Sequence, residues 1–372
     1  MQKISVSLPP LHPDLGTMIA WCAIPVATGE QPLLLAFNEQ AELWQIELFT
    51  GQIRLISQVE LPAFQPAYPV QLIVSPCGRA AAVSNRFGKY AVVIELASGN
   101  TLLSLERGEY HYDKSVYPLA FIMKKEQLLL VYGTDWNRLE LISLLPELQP
   151  LSDRDIPVSQ SEAQAAKANE HYLNYFHGEL HVSPDGEHLA ETGWIWGPVG
   201  IARVWNSSKW MDNVWESEDG DSLESIWYPL LDWDLPMIWL DAQRLAIWGQ
   251  LDEDLLEKED WQQEGVQSAI VIYDVQQHDR HAVITNAPTF LTSVTLPGLF
   301  VHPQAQLAVS STGKLFAWGR EVDMQAWDLS TLQPEPLDSP FQPDLYHPQA
   351  DLFLKFEKGC IEAWQYVVTG KE

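Results

Sequence analysis

The chain has 372 residues, 46% of them hydrophobic, and sets 22 Lys plus Arg against 50 Asp plus Glu, for a formal charge of -28 and a pI near 4.5. So much apolar residue supports a large folded core and argues against disorder, while the charge repels phosphate backbones and anionic lipid surfaces, so neither nucleic acid nor membrane is expected as a partner. Three widely spaced cysteines (Cys22, Cys77, Cys360) with no CxxC suggest neither a disulfide framework nor a thiolate zinc site, and a reducing cytoplasmic setting is expected. The start, MQKISVSLPPLHPD, lacks an apolar core of signal-peptide length, and no stretch approaches the roughly 20 apolar residues that span a bilayer.

In chain order, KISVSL alternates as a short strand and is followed by strand-like runs rich in Val, Ile, Leu, Trp and Tyr, punctuated by Gly, Pro, Asn and Asp. The runs recur with a period of about 40 residues, as expected when each unit is a four-stranded propeller blade. Four units share a strand, a proline-containing turn and a second strand: QLIVSPCGRAAAVSN from Gln71, ELHVSPDGEHLAETG from Glu179, GLFVHPQAQLAVSST from Gly298 and DLYHPQADLFLKFE from Asp344. Pro presets the turn dihedral and Gly supplies a positive one. Three further units, from Leu33, Leu119 and Met237, keep the strands without the proline. The expected fold is all-β: one seven-bladed β-propeller domain over 1–372, with blades near 14–61, 69–108, 116–156, 177–213, 236–286, 295–338 and 343–368. The seventh unit is short by one outer strand, which residues 2–8 are expected to supply, closing the ring and removing an open edge.

Through the S-P-x-G turns at Ser75–Gly78 and Ser183–Gly186 and the Trp327–Asp328 pair ending a third strand, the chain resembles WD-repeat and WD-like β-propellers over nearly its whole length. Residues 175–206 also look like a group of bacterial propeller proteins of unassigned activity. The resemblance implies the propeller fold, and for function only an analogy.

Loops carry function on such scaffolds, so departures from the repeat mark candidate sites. Residues 152–176, between blades 3 and 4, read as a helical insertion with Ser159 and Glu162 as a capping box. Residues 212–234 read as an acidic-aromatic connection between blades 4 and 5, and residues 251–265 as an interruption of blade 5. The loop GWIWGPVG, 193–200, occupies the matching place in blade 4. In WD-like propellers, connections between blades and between second and third strands emerge on one face, so all four are expected there, over blades 4 and 5.

The first acidic run carries Trp215, Glu216, Glu218, Asp219, Asp221 and then Trp227. The second carries Asp252, Glu253, Asp254, Glu257 and Trp261, and the short loop carries Trp194 and Trp196. Carboxylates flanking large aromatics suit a basic, partly apolar protein or peptide, since aromatics supply anchor area and acids steer approach. Acidic runs are also ordinarily solvated loops, and tryptophans ordinarily pack inside cores.

His171, His177, His181 and His188 fall on different elements with no HExxH or two-His-one-carboxylate spacing, so no metal is expected. With Gly220 as the glycine of an EF-hand loop the first ligand would be Trp215, so the acidic run is out of register for that motif. GxSxG, Walker-type and GxGxxG motifs are absent, and no cofactor is expected. The favoured reading is a non-catalytic protein- or peptide-binding scaffold using the acidic, Trp-rich face. The alternative is a channel-mouth hydrolase or lactonase-type enzyme with His181 or His302 as general base.

Overall fold

A computed structural model describes the chain apart from residues 155–170, 198, 229–232, 252–266, 286, 289–293, 297–298, 302–304, 320–321, 340 and 368–372. Seven antiparallel blades follow one another around a common axis. Blade 1 comprises Met18–Ile24, Leu33–Asn38, Glu42–Glu47 and Ile53–Gln58, and blade 4 comprises Leu180–Val182, His188–Ile195, Val199–Asn206 and Glu224–Trp227. First strands touch between blades 1 and 2, 3 and 4, 4 and 5, and 5 and 6, apolar clusters join blades 2 to 3 and 6 to 7, and Met18–Ile24 meets Leu345–His347 of blade 7, so the circle is closed. Second strands are buried on both faces over most of their length, as in Ala80–Asn85, where all six residues, Ser84 and Asn85 included, are buried.

The core is a set of clusters between adjacent blades. Leu35, Phe37 and Leu43 of blade 1 meet Val83, Val92 and Ile94 of blade 2. Ile122, Leu129 and Val131 of blade 3 meet Leu189, Trp205 and Trp210 around blade 4. Each such side chain contributes about 1.5–3 kcal/mol on burial. Trp205 and Trp327, the third-strand tryptophans of blades 4 and 6, are both fully buried in this way.

The N-terminal strand Gln2–Val6 pairs with Cys360–Val367 in register from Gln2↔Val367 to Val6↔Ala363, completing blade 7 as expected. Lys3 adds a cation lying 4.4 Å from the Phe341 ring centroid and 4.5 Å from that of Trp364.

The turns between first and second strands of blades 2, 4 and 6 share one device. Gly78 N–H donates to the Ser75 carbonyl while Ser75 Oγ accepts from Arg79 and Ala80 N–H. Ser183 and Gly186 repeat this with His188 N–H, and Ser310 and Gly313 with Lys314 N–H. Gly78, Gly186 and Gly313 have φ of 66°, 73° and 72°, which an L side chain resists.

The third of these turns corrects the reading of blade 6. Its innermost strand is Gln306–Val309, which touches the first strand of blade 5 and pairs with Lys314–Gly319. The run from Gly298 instead contributes Leu299–Val301 to a separate hairpin with Val294–Leu296, which approaches Tyr112–Lys114 across the ring. Proline in HPQA drew the sequence reading to the wrong turn. The serine acceptor and the left-handed glycine mark the right one.

A second correction concerns residues 212–234. They do not simply join blades 4 and 5, because they contain Glu224–Trp227, the outer strand of blade 4, paired with Val199–Asn206. The insertion proper lies between third and fourth strands, with the short helix Ser207–Asp212, capped by Asn206, and the single turn Glu216–Asp219. Since strands alternate in direction, it leaves from the end of the ring opposite to the 193–200 loop. Its start is tied to that opposite end by Ser207 Oγ donating to the Gly186 carbonyl at 2.5 Å. The expected helix over 152–176 falls largely outside the described residues.

Candidate functional site

The 193–200 loop is the hairpin between second and third strands of blade 4, so it projects from the end where the blades are also joined to one another. Trp194 is only 4% exposed and stacks on Phe176, with ring centroids 3.8 Å apart and planes 6° from parallel. The two residues form an isolated backbone bridge, and Trp194 Nε1 donates to Ser115 Oγ at 2.9 Å. Trp233 also stacks on Trp194, at 5.2 Å between centroids, and Trp136 tilts against Phe176 at 4.3 Å. Rings from the 2–3, 3–4 and 4–5 connections and from hairpins of blades 3 and 4 therefore converge on one spot.

Above this stack the rings face solvent. Trp196 is 47% exposed and Tyr110 is 40% exposed, 6.3 Å apart between centroids, with the His111 ring 5.1 Å from Trp196. His111 has a left-handed φ of 50°, which turns the chain between Tyr110 and Tyr112.

The platform beneath is ionic and buried. The Asp234 carboxylate accepts from Val116 N–H at 3.0 Å and Glu179 N–H at 2.8 Å, joining two connections to blade 4. Burial pushes its pKa up to about 7, against the partial relief those two donors give. A Cβ on Gly178 would lie 2.4 Å from Asp234 Oδ1 and 2.5 Å from the Thr192 carbonyl, so this approach requires glycine. His177 Nδ1 lies 2.9 Å from the fully buried Glu191 carboxylate. The Arg107 guanidinium donates to the Gly88, Tyr112, Ser115 and Val116 carbonyls, and burial pulls its pKa down to about 10. Nearer the axis Arg86 pairs with Glu179 at 2.5 Å, and burial lowers the pKa of His181.

The expected site residues divide sharply. Trp194 and Trp196 come together here. Glu216 and Glu218 are 2% and 7% exposed and serve the fold. Glu216 accepts from Ser222 N–H at 2.7 Å, Ser222 Oγ at 2.6 Å and Asn213 Nδ2 at 3.0 Å, which together hold its pKa below the usual range despite burial. Glu218 pairs at 2.7 Å with Arg154, which also donates to the Val214 and Leu139 carbonyls. Trp215 lies under the Arg154 guanidinium at 4.9 Å and stacks on His171, which bonds Asp219 at 2.9 Å. Asp219 and Asp221 are exposed, whereas Trp227 is buried in the core between blades 4 and 5. Asp252, Glu253, Asp254, Glu257, Trp261 and His302 lie outside the described residues. The four histidines weighed as metal ligands are dispersed: His171 at Asp219, His177 at Glu191, His181 near Glu179, His188 beside Trp239.

Trp233 belongs to the tryptophans the sequence interleaves with its acidic insertions, whereas Tyr110, His111, Trp136 and Phe176 were missed in the sequence. Tyr110 and Trp136 sit in connections of ordinary length, where no departure from the repeat points to them. The available signal was an aromatic inside a polar turn, as in GEYHYD and TDWN.

No family model and no curated protein matches the chain. Among solved structures it is similar to the β-propeller domain of Myceliophteria thermophila Cps50 (Swd1), at 11% identity and a TM-score of 0.52 over 98% of this chain and 100% of that one. It is similar to a chain of the mitotic checkpoint complex at 10% identity and a TM-score of 0.53, covering 98% and 99%. Kuenenia stuttgartiensis hydrazine synthase matches at 12% identity and a TM-score of 0.56, covering 91% and 93%. The fold is thus that of a seven-bladed β-propeller. Since one of these neighbours is named as an enzyme and another as a complex, the fold alone assigns no activity. Among the described residues no helix is long and apolar enough to cross a membrane.

Proposed function

We propose that the chain is a non-catalytic scaffold that binds a basic protein or peptide at the end of the ring where Trp196 emerges, in a cytoplasmic setting. One observation carries this reading: Trp196 and Tyr110 stand exposed on a buried aromatic stack held by a rigid ionic platform. Large rigid rings with a fixed base are the kind of anchor that dominates protein interfaces. The carboxylates supply steering rather than anchorage. Leu251 and Gln267, which flank the acidic sequence 252–266, pair at this same end of blade 5, and the proposal gives that sequence the role of drawing a basic partner in. Glu216, Glu218 and Trp227 are occupied inside the chain, and Asp219 and Asp221, exposed on the other insertion of blade 4, are not part of this surface.

The test is capture from extracts of the host with the wild-type chain and with a Tyr110→Ala/Trp196→Ala double variant, each checked for thermal stability. Loss of an identified basic partner at unchanged stability supports the reading. Equal capture by the variant removes this surface from consideration and leaves the propeller untouched.

A further inference from the structure

Beside the aromatic surface lies a cavity of about 660 Å³, between the connection joining blades 1 and 2, the Asn85–Tyr90 turn of blade 2 and the connection joining blades 2 and 3. Tyr68, Phe87, Tyr90 and Tyr112 provide its rings, and Glu109 and Asp113 stand among its walls. The walls are fixed before any ligand arrives. Pro62, Pro66 and Pro69 restrict the first connection, and Asn85 sews it down by accepting from Gln65 N–H at 3.0 Å and donating to the Gln65 carbonyl at 2.9 Å. Arg107 holds the Tyr112 carbonyl on the other side at 2.6 Å.

Charge sets the kind of ligand. Lys89 lies 2.7 Å from Glu106 and 3.0 Å from Glu109, and Lys114 lies 2.7 Å from Asp113. Of the charged residues that line the cavity, the single ammonium of Lys89 stands against the carboxylates of Glu109 and Asp113, and the Glu109 side chain, 84% exposed, has acceptor capacity to spare. An anion would meet Glu109 and Asp113 unfavourably. A guanidinium matches both features, because its plane stacks on tyrosine while its N–H fork meets a carboxylate.

The cavity and the aromatic surface share one wall. Glu109, Tyr112 and Asp113 line the cavity, while Tyr110 and His111, turned by the left-handed backbone at His111, contact Trp196. An extended chain advances at most about 3.3–3.6 Å per residue, so a segment crossing this wall places side chains on its two sides two or three residues apart. Resting on the binding reading above, we propose that this cavity receives one arginine side chain of the partner, two or three residues from the apolar side chain that packs on Trp196 and Tyr110.

Fluorescein-labelled Gly/Ser peptides carrying one Leu and, two or three residues away, Arg, citrulline or Glu test this by anisotropy against the full chain at fixed ionic strength. The expected result is binding of the Arg peptide at least tenfold tighter than the citrulline peptide, with the preference abolished in a Glu109→Gln/Asp113→Asn variant of unchanged thermal stability. Two neutralisations barely alter a net charge of -28, so loss of the preference reports on the cavity and not on general attraction. A Trp196→Ala variant should weaken all three peptides alike and keep the Arg preference. An Arg preference that persists in the carboxylate variant, or no preference in the wild type, overturns the cavity assignment while leaving the Trp196 surface standing. Unchanged binding of every peptide to Trp196→Ala, with the preference still lost in the carboxylate variant, instead overturns the aromatic anchor and keeps the cavity.

Discussion

Two tryptophan-bearing insertions of blade 4 end with opposite surfaces. The 193–197 hairpin buries one ring, Trp194, and uses it as the floor beneath the exposed Trp196. The 212–221 segment, far richer in charge, turns Glu216 and Glu218 inward, where Asn213, Ser222 and Arg154 satisfy them, and leaves Asp212, Asp219 and Asp221 exposed. Acidity in a sequence therefore does not say which carboxylates face solvent. What decides is whether donors lie within reach, and here one arginine from the preceding connection is placed to claim Glu218.

The largest expected effect tests the inward-facing half of that contrast. Arg154→Ala strands Glu218 beside Glu140 without its cation and should cost about 3–5 kcal/mol, visible as a lowered denaturation midpoint. A surface ion pair would cost less than about 1 kcal/mol, so a small change would mean that the insertion is not latched in this way.

Next in size is the pH dependence of the platform under the hairpin. The Asp234 carboxyl has a folded pKa raised to about 7 from 3.8, so the folded state favours its protonated form. Its contribution is full below about pH 4 and is lost as pH rises through about 7, an effect on the order of 4 kcal/mol at most. Urea denaturation from pH 4 to pH 8 should show this decline, and Asp234→Asn should flatten it. An identical pH profile in the variant would show that Asp234 does not carry the effect.

Smaller still is Trp196→Ala, which removes an exposed ring and should change stability by no more than about 1 kcal/mol while weakening partner binding at least tenfold. Smallest are Asp212→Asn and Asp221→Asn, both at exposed positions, with stability expected to stay within about 0.5 kcal/mol by the same denaturation assay.

The propeller was legible in the sequence because its signal is repeated: the about 40-residue period, the strand alternation and the S-x-x-G turns each occur several times. Closure by Gln2–Val6 followed from the one strand missing at the other terminus. Blade 6 was misread because proline is dispensable in its turn, whereas Ser310 and Gly313 do the bonding. The outer strand Glu224–Trp227 was hidden in a run whose charge and aromatics looked like loop. The candidate site was legible at Trp194, Trp196 and Trp233. Tyr110, Trp136 and Phe176 come from connections 26 to 86 residues apart from Trp136 or Trp196, and nothing local in the chain announces that closed blades bring them together.

Hydrogen exchange of the chain with and without its captured partner compares the two insertions in one experiment. The account predicts new protection at residues 109–113 and 193–197, and none at residues 212–221 or at the opposite turns Ser75–Gly78 and Ser183–Gly186. Protection confined to residues 212–221, or to those opposite turns, would contradict it.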